Sequence, residues 1–350
     1  MATVHLPSLC RAITRWLIGG RTARQHRLDR TTEEQARDRM KILATILALA
    51  VAALAAALWV YRDIPATTLE ARYTGPASKF IYIDGARIHY RDQGSGPVVV
   101  LIHGNFSNLI DWDPWVDALE DRYRVVRFDL TSHGLTGPDP TGDYSQERTL
   151  ALTTRLIDAL GLRRISIGGT SLGGTVAIHY AAAHPERVSR LILLNPGMLE
   201  GKEMARRGGV PKAAYLLTYI LPRALPAAML RSGFGDPSKV TDALIDRWYD
   251  LWMREGQRQA QLDRLSQYRP GDVEAIIRSI RVPVLLLWGE ADSTAPISQA
   301  QQFLQLLGNA PAVKFIKYPG VGHMAVEEAG PETGRDLRAW LDATADSPGR

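Results

Sequence analysis

Residues 164–184 read RISIGGTSLGGTVAIHYAAAH. The spacing predicts a short strand over 164–169 and a helix over 172–184. Between them stands Gly169-Thr170-Ser171-Leu172-Gly173, a G-x-S-x-G sequence. A turn that feeds a strand straight into a helix forces its apex residue into strained backbone angles. Side chains two positions to either side would collide, so glycine occupies 169 and 173. Ser171 is then held out at a helix N-terminus, where a nucleophile would stand. The bland alternative is an ordinary Gly-rich turn; the strand before and the helix after raise a common pattern to a specific one.

The same alternation of strand and helix signals continues on both sides of this stretch. KFIYIDGARIHYRD (79–92) alternates with period two around Asp84-Gly85, a hairpin signal. VVVLIH (98–103), RVVRFDL (124–130), RLILLN (190–195), VPVLLLWG (282–289) and AVKFIKY (312–318) read as strands. Helical periodicity falls near 112–119, over 146–160 and over 332–345. Alternating strands and helices predict an α/β fold: a mostly parallel central sheet with helices on both faces, led in by an antiparallel pair. Residues 198–281 break the alternation with helical patterns at 213–221, 240–254 and 273–279. That insert is too long for a connection and reads as a helical cap over the C-terminal edge of the sheet, where open α/β sheets take their ligands.

A serine hydroxyl needs a positioned base. Of the eight histidines, His323 stands out because Pro319-Gly320-Val321-Gly322-His323 is a glycine-flanked loop after the last strand. His179 and His184 lie on the helix after Ser171 and read as structural. A carboxylate should hold the imidazole's tautomer. Asp292 in Gly289-Glu290-Ala291-Asp292 is the candidate, with Glu290 as its neighbouring alternative. The preceding strand ends in Asn195-Pro196 and offers no carboxylate. Oxyanion donors are expected from the backbone of Leu172 and of Asn105, with Phe106 as the alternative to Asn105. His103 is expected to brace that loop by hydrogen bonds rather than transfer protons.

These motifs together resemble the α/β-hydrolase superfamily, in its capped single-domain branch of esterases, cofactor-free haloperoxidases and dehalogenases. The resemblance spans residues 79–345. It rests on HGN (103–105), Asp129-Leu130-Thr131-Ser132-His133-Gly134, the G-x-S-x-G turn, GEAD (289–292) and GVGH (320–323). It implies the order Ser171, Asp292, His323 for a catalytic triad. It departs at one place: the usual D-x-P-G-x-G has Thr131-Ser132 in place of Pro-Gly. Serine at the turn disfavours the carboxylate-nucleophile chemistry of the dehalogenase and epoxide-hydrolase relatives.

The chain has 350 residues and a net charge of +5, but the excess is local. Residues 1–41 hold nine Lys/Arg and four Asp/Glu; the 309 residues after them balance. A basic protein invites a nucleic-acid reading, and this distribution removes it from the bulk of the chain. ILATILALAVAALAAALWVY (42–61) carries no charge and is long enough, at about 1.5 Å per residue, to cross a bilayer. Trp59 and Tyr61 sit at one end, as at a membrane interface. The reading is a basic cytoplasmic tail (1–41), an uncleaved transmembrane signal anchor (42–61), a linker (62–78) and a catalytic domain (79–350). A cleaved signal peptide and a buried Ala-rich helix are the alternatives. Seven Lys/Arg in 21–41 against three in 62–81 put the N-terminus in the cytoplasm and the domain in the periplasm or otherwise outside. The lone Cys10 excludes an intramolecular disulfide framework and a cysteine zinc cage.

The expected function is therefore a membrane-anchored serine hydrolase acting on a small apolar ester or related acyl bond, with no metal or cofactor. Perhydrolysis, acyl transfer and C–C bond hydrolysis would use the same three residues. A non-catalytic binding module on the same fold is the alternative from another class. AYLLTYILPRALPAAML (214–230) either lines an acyl pocket or dips into the membrane, and Trp248 and Trp252, spaced i, i+4, are expected to pack the cap.

Overall fold

The computed structural model of the protein describes residues 7–197, 199, 210–269 and 271–344. Residues 1–6 of the expected tail, and 198, 200–209 and 270 of the expected cap, lie outside the described residues. The chain divides into two compact units, Met1–Val60 and Tyr61–Arg350.

The first unit is one helix, α1 (Pro7–Val60), running through both the tail and the apolar stretch. Its segment Glu34–Val60 is long and apolar enough to cross a membrane, and its side chains are exposed almost throughout.

The second unit opens with α2 (Ala66–Tyr73). The stretch 62–78 has the Pro and Gly of a linker, yet it is docked rather than open. Leu69 is fully buried with Leu135 and Leu251. Tyr73 Oη donates to Asp250 at 2.7 Å, and the Ile64 N–H donates to the Met253 carbonyl at 2.7 Å. Breaker residues mark where a chain turns; they do not report whether the residues between them find partners.

Eight strands follow: β1 (Ser78–Ile83), β2 (Ala86–Gln93), β3 (Val98–Ile102), β4 (Arg124–Phe128), β5 (Ile165–Ser171), β6 (Val188–Pro196), β7 (Val284–Gly289) and β8 (Val313–Tyr318). They form one sheet in the order β1-β2-β4-β3-β5-β6-β7-β8. Only β1–β2 and β2–β4 pair antiparallel; from β4 to β8 every pairing is parallel. The β1–β2 turn puts Asp84 at φ 48° and Gly85 at φ 85°, the two left-handed residues a tight hairpin needs.

Because side chains alternate along a strand, each apolar strand feeds two cores. Val100, Ile102, Ile165, Ile167, Leu191, Leu193, Val284 and Leu286 face one layer, with α4 (Gln146–Ala159), α5 (Leu172–Ala183) and later helices. Val99, Leu101, Ile192, Leu194, Leu285 and Leu287 face the other, with α3 (Asp113–Leu119) and the C-terminal helix. The continuous apolar runs are thus strands buried on both faces.

The described part of the insert holds α6 (Ala224–Gly233), α7 (Asp242–Trp252), α8 (Gln257–Gln267) and α9 (Val273–Arg278). It has its own small core, in which Trp248 and Trp252 are buried with Leu221, Leu230, Phe234 and Ile245. After α10 (Ile297–Leu306), the last helix α11 (Ala325–Ala343) starts seven residues before the periodicity suggests. It bends at Ala329 (φ −136°, ψ 30°), just before Pro331, which lacks an N–H and breaks the pattern that a sequence reading follows.

Candidate active site

Ser171 closes β5 and is followed at once by α5. Its backbone has φ 49° and ψ −116°, strain that costs about 1–3 kcal/mol and persists only where surroundings enforce it. The enforcement is visible at the two glycines. A Cβ on Gly169 would lie 2.4 Å from the Gly173 carbonyl carbon and 2.6 Å from the Ile102 oxygen. A Cβ on Gly173 would lie 2.0 Å from the Ile102 oxygen. The end of β3 therefore presses against the turn from which Ser171 projects.

The next strands along the sheet bring the other two groups to the same edge. Asp292 follows β7 and is 4% exposed; His323 follows β8 and is 7% exposed. His323 Nδ1 is 2.7 Å from Asp292 Oδ2, so the N–H on that nitrogen donates to the carboxylate. The N–H groups of Thr294 and Ala295 donate to Asp292 Oδ1 at 2.8 and 2.7 Å. Glu290, the other acid considered, instead takes the ammonium of Lys317 at 2.6 Å and is not brought to His323. Ser171 and His323 line one cavity of about 360 Å³, with Asn105, Leu172, Met229, Arg264 and Tyr268 among its walls.

The loop after β3 carries the expected backbone donors. Phe106 has φ 63°, and its N–H is already committed, at 2.9 Å, to His133 Nε2. The Asn105 backbone N–H has no partner among the described residues, so of the two it is the one open to a ligand. The Leu172 N–H belongs to the first turn of α5 and has no partner inside the helix. His103 is fully buried; it donates from Nδ1 to the Gly104 oxygen at 2.7 Å and accepts the Leu130 N–H at Nε2, 3.0 Å away. Burial pushes its pKa down, which suits a neutral imidazole tying two loops together. Burial also holds His133 well below the usual histidine range.

Three residues at this edge escape a reading of the sequence alone. Asn195, judged only for lacking a carboxylate, donates its side-chain amide to Asp292. Glu328 accepts N–H groups from Gly322, Gly235 and Asp236 at 2.8, 2.8 and 2.7 Å, joining the histidine loop to the cap. Arg264 is on α8, a polar helix with little apolar periodicity to announce it. A second cavity of about 320 Å³ adjoins the first and shares Phe106, Met229 and Leu265 with it. Leu217, Leu221 and Leu225 line it, while Leu216, Tyr219 and Ile220 of the same segment are exposed.

The model of the alpha/beta hydrolase family matches residues 99–333, from β3 into the last helix. The chain belongs to the alpha/beta hydrolase family. Within that family it is 26% identical to the 2-hydroxy-6-oxo-6-(2'-aminophenyl)hexa-2,4-dienoic acid hydrolase of Metapseudomonas resinovorans, over 77% of this chain and 92% of that protein. It is 28% identical to the 2-hydroxy-6-oxo-6-phenylhexa-2,4-dienoate hydrolase of Comamonas testosteroni, over 71% and 88%. Among solved structures, a membrane phospholipase A described as a bacterial virulence factor matches with a TM-score of 0.65 and 25% identity, over 88% of this chain and 100% of that one.

Proposed function

We propose that this chain is a membrane-anchored serine hydrolase of carboxylic esters or related acyl bonds. The observation that carries the reading is one cavity lined by both Ser171 and His323, with His323 Nδ1 2.7 Å from Asp292. Ser171 Oγ attacks the acyl carbon while His323 Nε2 takes its proton. Asp292 holds the imidazole by its Nδ1–H and stabilises the imidazolium. The oxyanion lies between the N–H groups of Leu172 and Asn105. His323 returns the proton to the leaving alcohol, and water, deprotonated by the same imidazole, releases the acid.

The second cavity favours an ester with an apolar acyl chain, since its walls are almost wholly aliphatic and aromatic. Residues 42–61 anchor the protein, with residues 1–41 cytoplasmic and the domain outside; the concentration of positive charge before the apolar stretch supports that orientation.

The test is covalent. A fluorophosphonate probe should label the full-length protein in detergent at Ser171, and Ser171→Ala should abolish both labelling and hydrolysis of p-nitrophenyl esters. A folded wild-type protein that takes no label refutes the assignment. A second reading, C–C bond hydrolysis, is favoured by the two dienoate hydrolases among the relatives. Turnover of a 2-hydroxy-6-oxo-dienoate faster than of any ester in a chain-length series would select it.

A further inference from the structure

Residues 129–134 read Asp-Leu-Thr-Ser-His-Gly, where the family resemblance implies D-x-P-G-x-G. Ser132 takes the glycine position at φ 68°, a left-handed conformation that glycine adopts freely and serine does not. This strained side chain is fully buried and fully used. Its Oγ accepts the Nε–H of Arg264 at 2.8 Å. The same guanidinium donates through Nη2 to the Thr131 carbonyl at 2.9 Å and the Thr131 hydroxyl at 2.8 Å. Its Nη1 donates to the Thr149 hydroxyl at 3.0 Å. Both departures from the family pattern therefore supply oxygen atoms that proline and glycine lack, and both are spent on one arginine.

That arginine comes from the cap. Arg264 sits on α8, is 3% exposed, and is gripped by hydroxyls and a carbonyl; burial lowers its pKa to about 10. From the turn, the contacts continue toward the reacting edge. His133 Nδ1 lies 3.1 Å from both the Thr131 oxygen and the Ser132 hydroxyl. Its Nε2 accepts the Phe106 N–H at 2.9 Å, and Asn105 Oδ1 lies 3.1 Å from the same nitrogen. Burial lowers the pKa of His133, and the Thr131 carbonyl, which can only accept, calls for a proton on Nδ1.

We propose that Arg264 is a positioning residue: from the cap it clamps the Thr131–Ser132 turn, and through His133 it sets where the Asn105–Phe106 segment presents its oxyanion donor. The clamp rests on the assignment of Ser171 as nucleophile and Asn105 as donor made above. A Pro-Gly turn would be stiff by itself, with one φ locked by the proline ring and the left-handed position unstrained. Here that stiffness is replaced by a cation delivered from the cap, so the oxyanion site is complete only while α8 is docked.

The clamp is tested by restoring the family turn. Full-length wild type, Arg264→Met, Thr131→Pro/Ser132→Gly and the triple variant are compared in detergent by kcat and KM on p-nitrophenyl butyrate, fluorophosphonate labelling rate and melting temperature. Arg264→Met alone should lower kcat and the labelling rate roughly 100-fold, as displacing an oxyanion donor does, with KM within about twofold. In the Pro-Gly background the same substitution should cost about threefold or less. An equal loss in both backgrounds, or a loss carried by KM, overturns the clamp while leaving the hydrolase reading intact. A wild type that takes no label removes both. Should Arg264→Met not fold, Arg264→Lys, with a shorter reach to the three hydroxyls, is judged by the same comparison.

Discussion

Asn195 and Asp292 meet at the C-terminal ends of neighbouring strands, where the Asn195 amide donates to the carboxylate oxygen that also accepts from His323. One oxygen thus serves a hydrogen bond from β6 and another from the loop after β8. Asn195 takes φ 43° to reach it, a conformation that asparagine and aspartate tolerate better than most residues.

The first prediction concerns that pair. Asp292→Asn should lower kcat by roughly 10³–10⁴, because the imidazole loses the partner that holds its tautomer. Adding Asn195→Asp returns a carboxylate to the same spot from the adjacent strand, and the double variant should regain at least about tenfold. Ester kinetics decide it. A double variant no faster than Asp292→Asn means that position 195 cannot serve as the acid.

A second prediction separates steric from conformational demands on glycine. Gly173→Ala puts a Cβ 2.0 Å from the Ile102 carbonyl oxygen, which can move only if β3 moves. It should destabilise the domain by roughly 3 kcal/mol or more. Gly142→Ala adds a methyl group with nothing within 4 Å, at φ 68°, and should cost only about 1 kcal/mol of backbone strain. Urea midpoints of the two variants rank them; equal losses would mean that the contact at Gly173 relaxes.

The third prediction is a pH dependence. Burial pushes the Asp129 carboxyl up, but the hydrogen bond from His89, the nearby His89 and His103 and the Leu109 N–H outweigh it and hold its pKa at about 2. A carboxyl lowered on folding binds fewer protons in the native state than in the unfolded one. Its contribution, about 2 kcal/mol, is therefore present above about pH 4 and lost as pH falls toward 2. Melting temperatures between pH 5 and 2 should fall more steeply for wild type than for Asp129→Asn. Parallel curves would show that Asp129 does not carry the acid sensitivity.

The fourth prediction concerns Glu328, whose carboxylate gathers the N–H groups of Gly322, Gly235 and Asp236. Glu328→Ala would leave three N–H groups without their acceptor beside His323, a loss of roughly 3 kcal/mol. Glu328→Gln keeps the volume and one oxygen. It should be the milder in melting temperature, yet both should lower kcat more than they raise KM. A variant of normal kcat would show that the histidine loop holds its place without this carboxylate.

Local chemistry made much of this protein legible in one dimension. Strand order in the chain, the Ser171 turn and the glycine-rich loop before His323 depend on neighbours within a few residues, and such constraints are written in the local sequence. The preference for Asp292 over Glu290 is legible too, but its physical cause is not: both follow β7, and the β8 loop brings His323 to Asp292 while Glu290 meets Lys317. Asn195, Glu328 and Arg264 escape a reading in one dimension, because their partners include residues about ninety to more than a hundred positions away. The docking of residues 62–78 and the early start of α11 likewise depend on contacts that periodicity does not carry.

Read in one dimension, the chain already shows a parallel sheet covered on both faces, a serine at a tight strand-to-helix turn, and an excess of charge that all precedes an apolar stretch. Only the fold shows that Asn195 and Glu328 hold the Asp292 and His323 loops, and that Thr131 and Ser132 receive Arg264 from the cap. Side-chain alternation and the choice of glycine at a tight turn are written locally, whereas hydrogen-bond partnership is set by which loops the folded sheet brings to one edge.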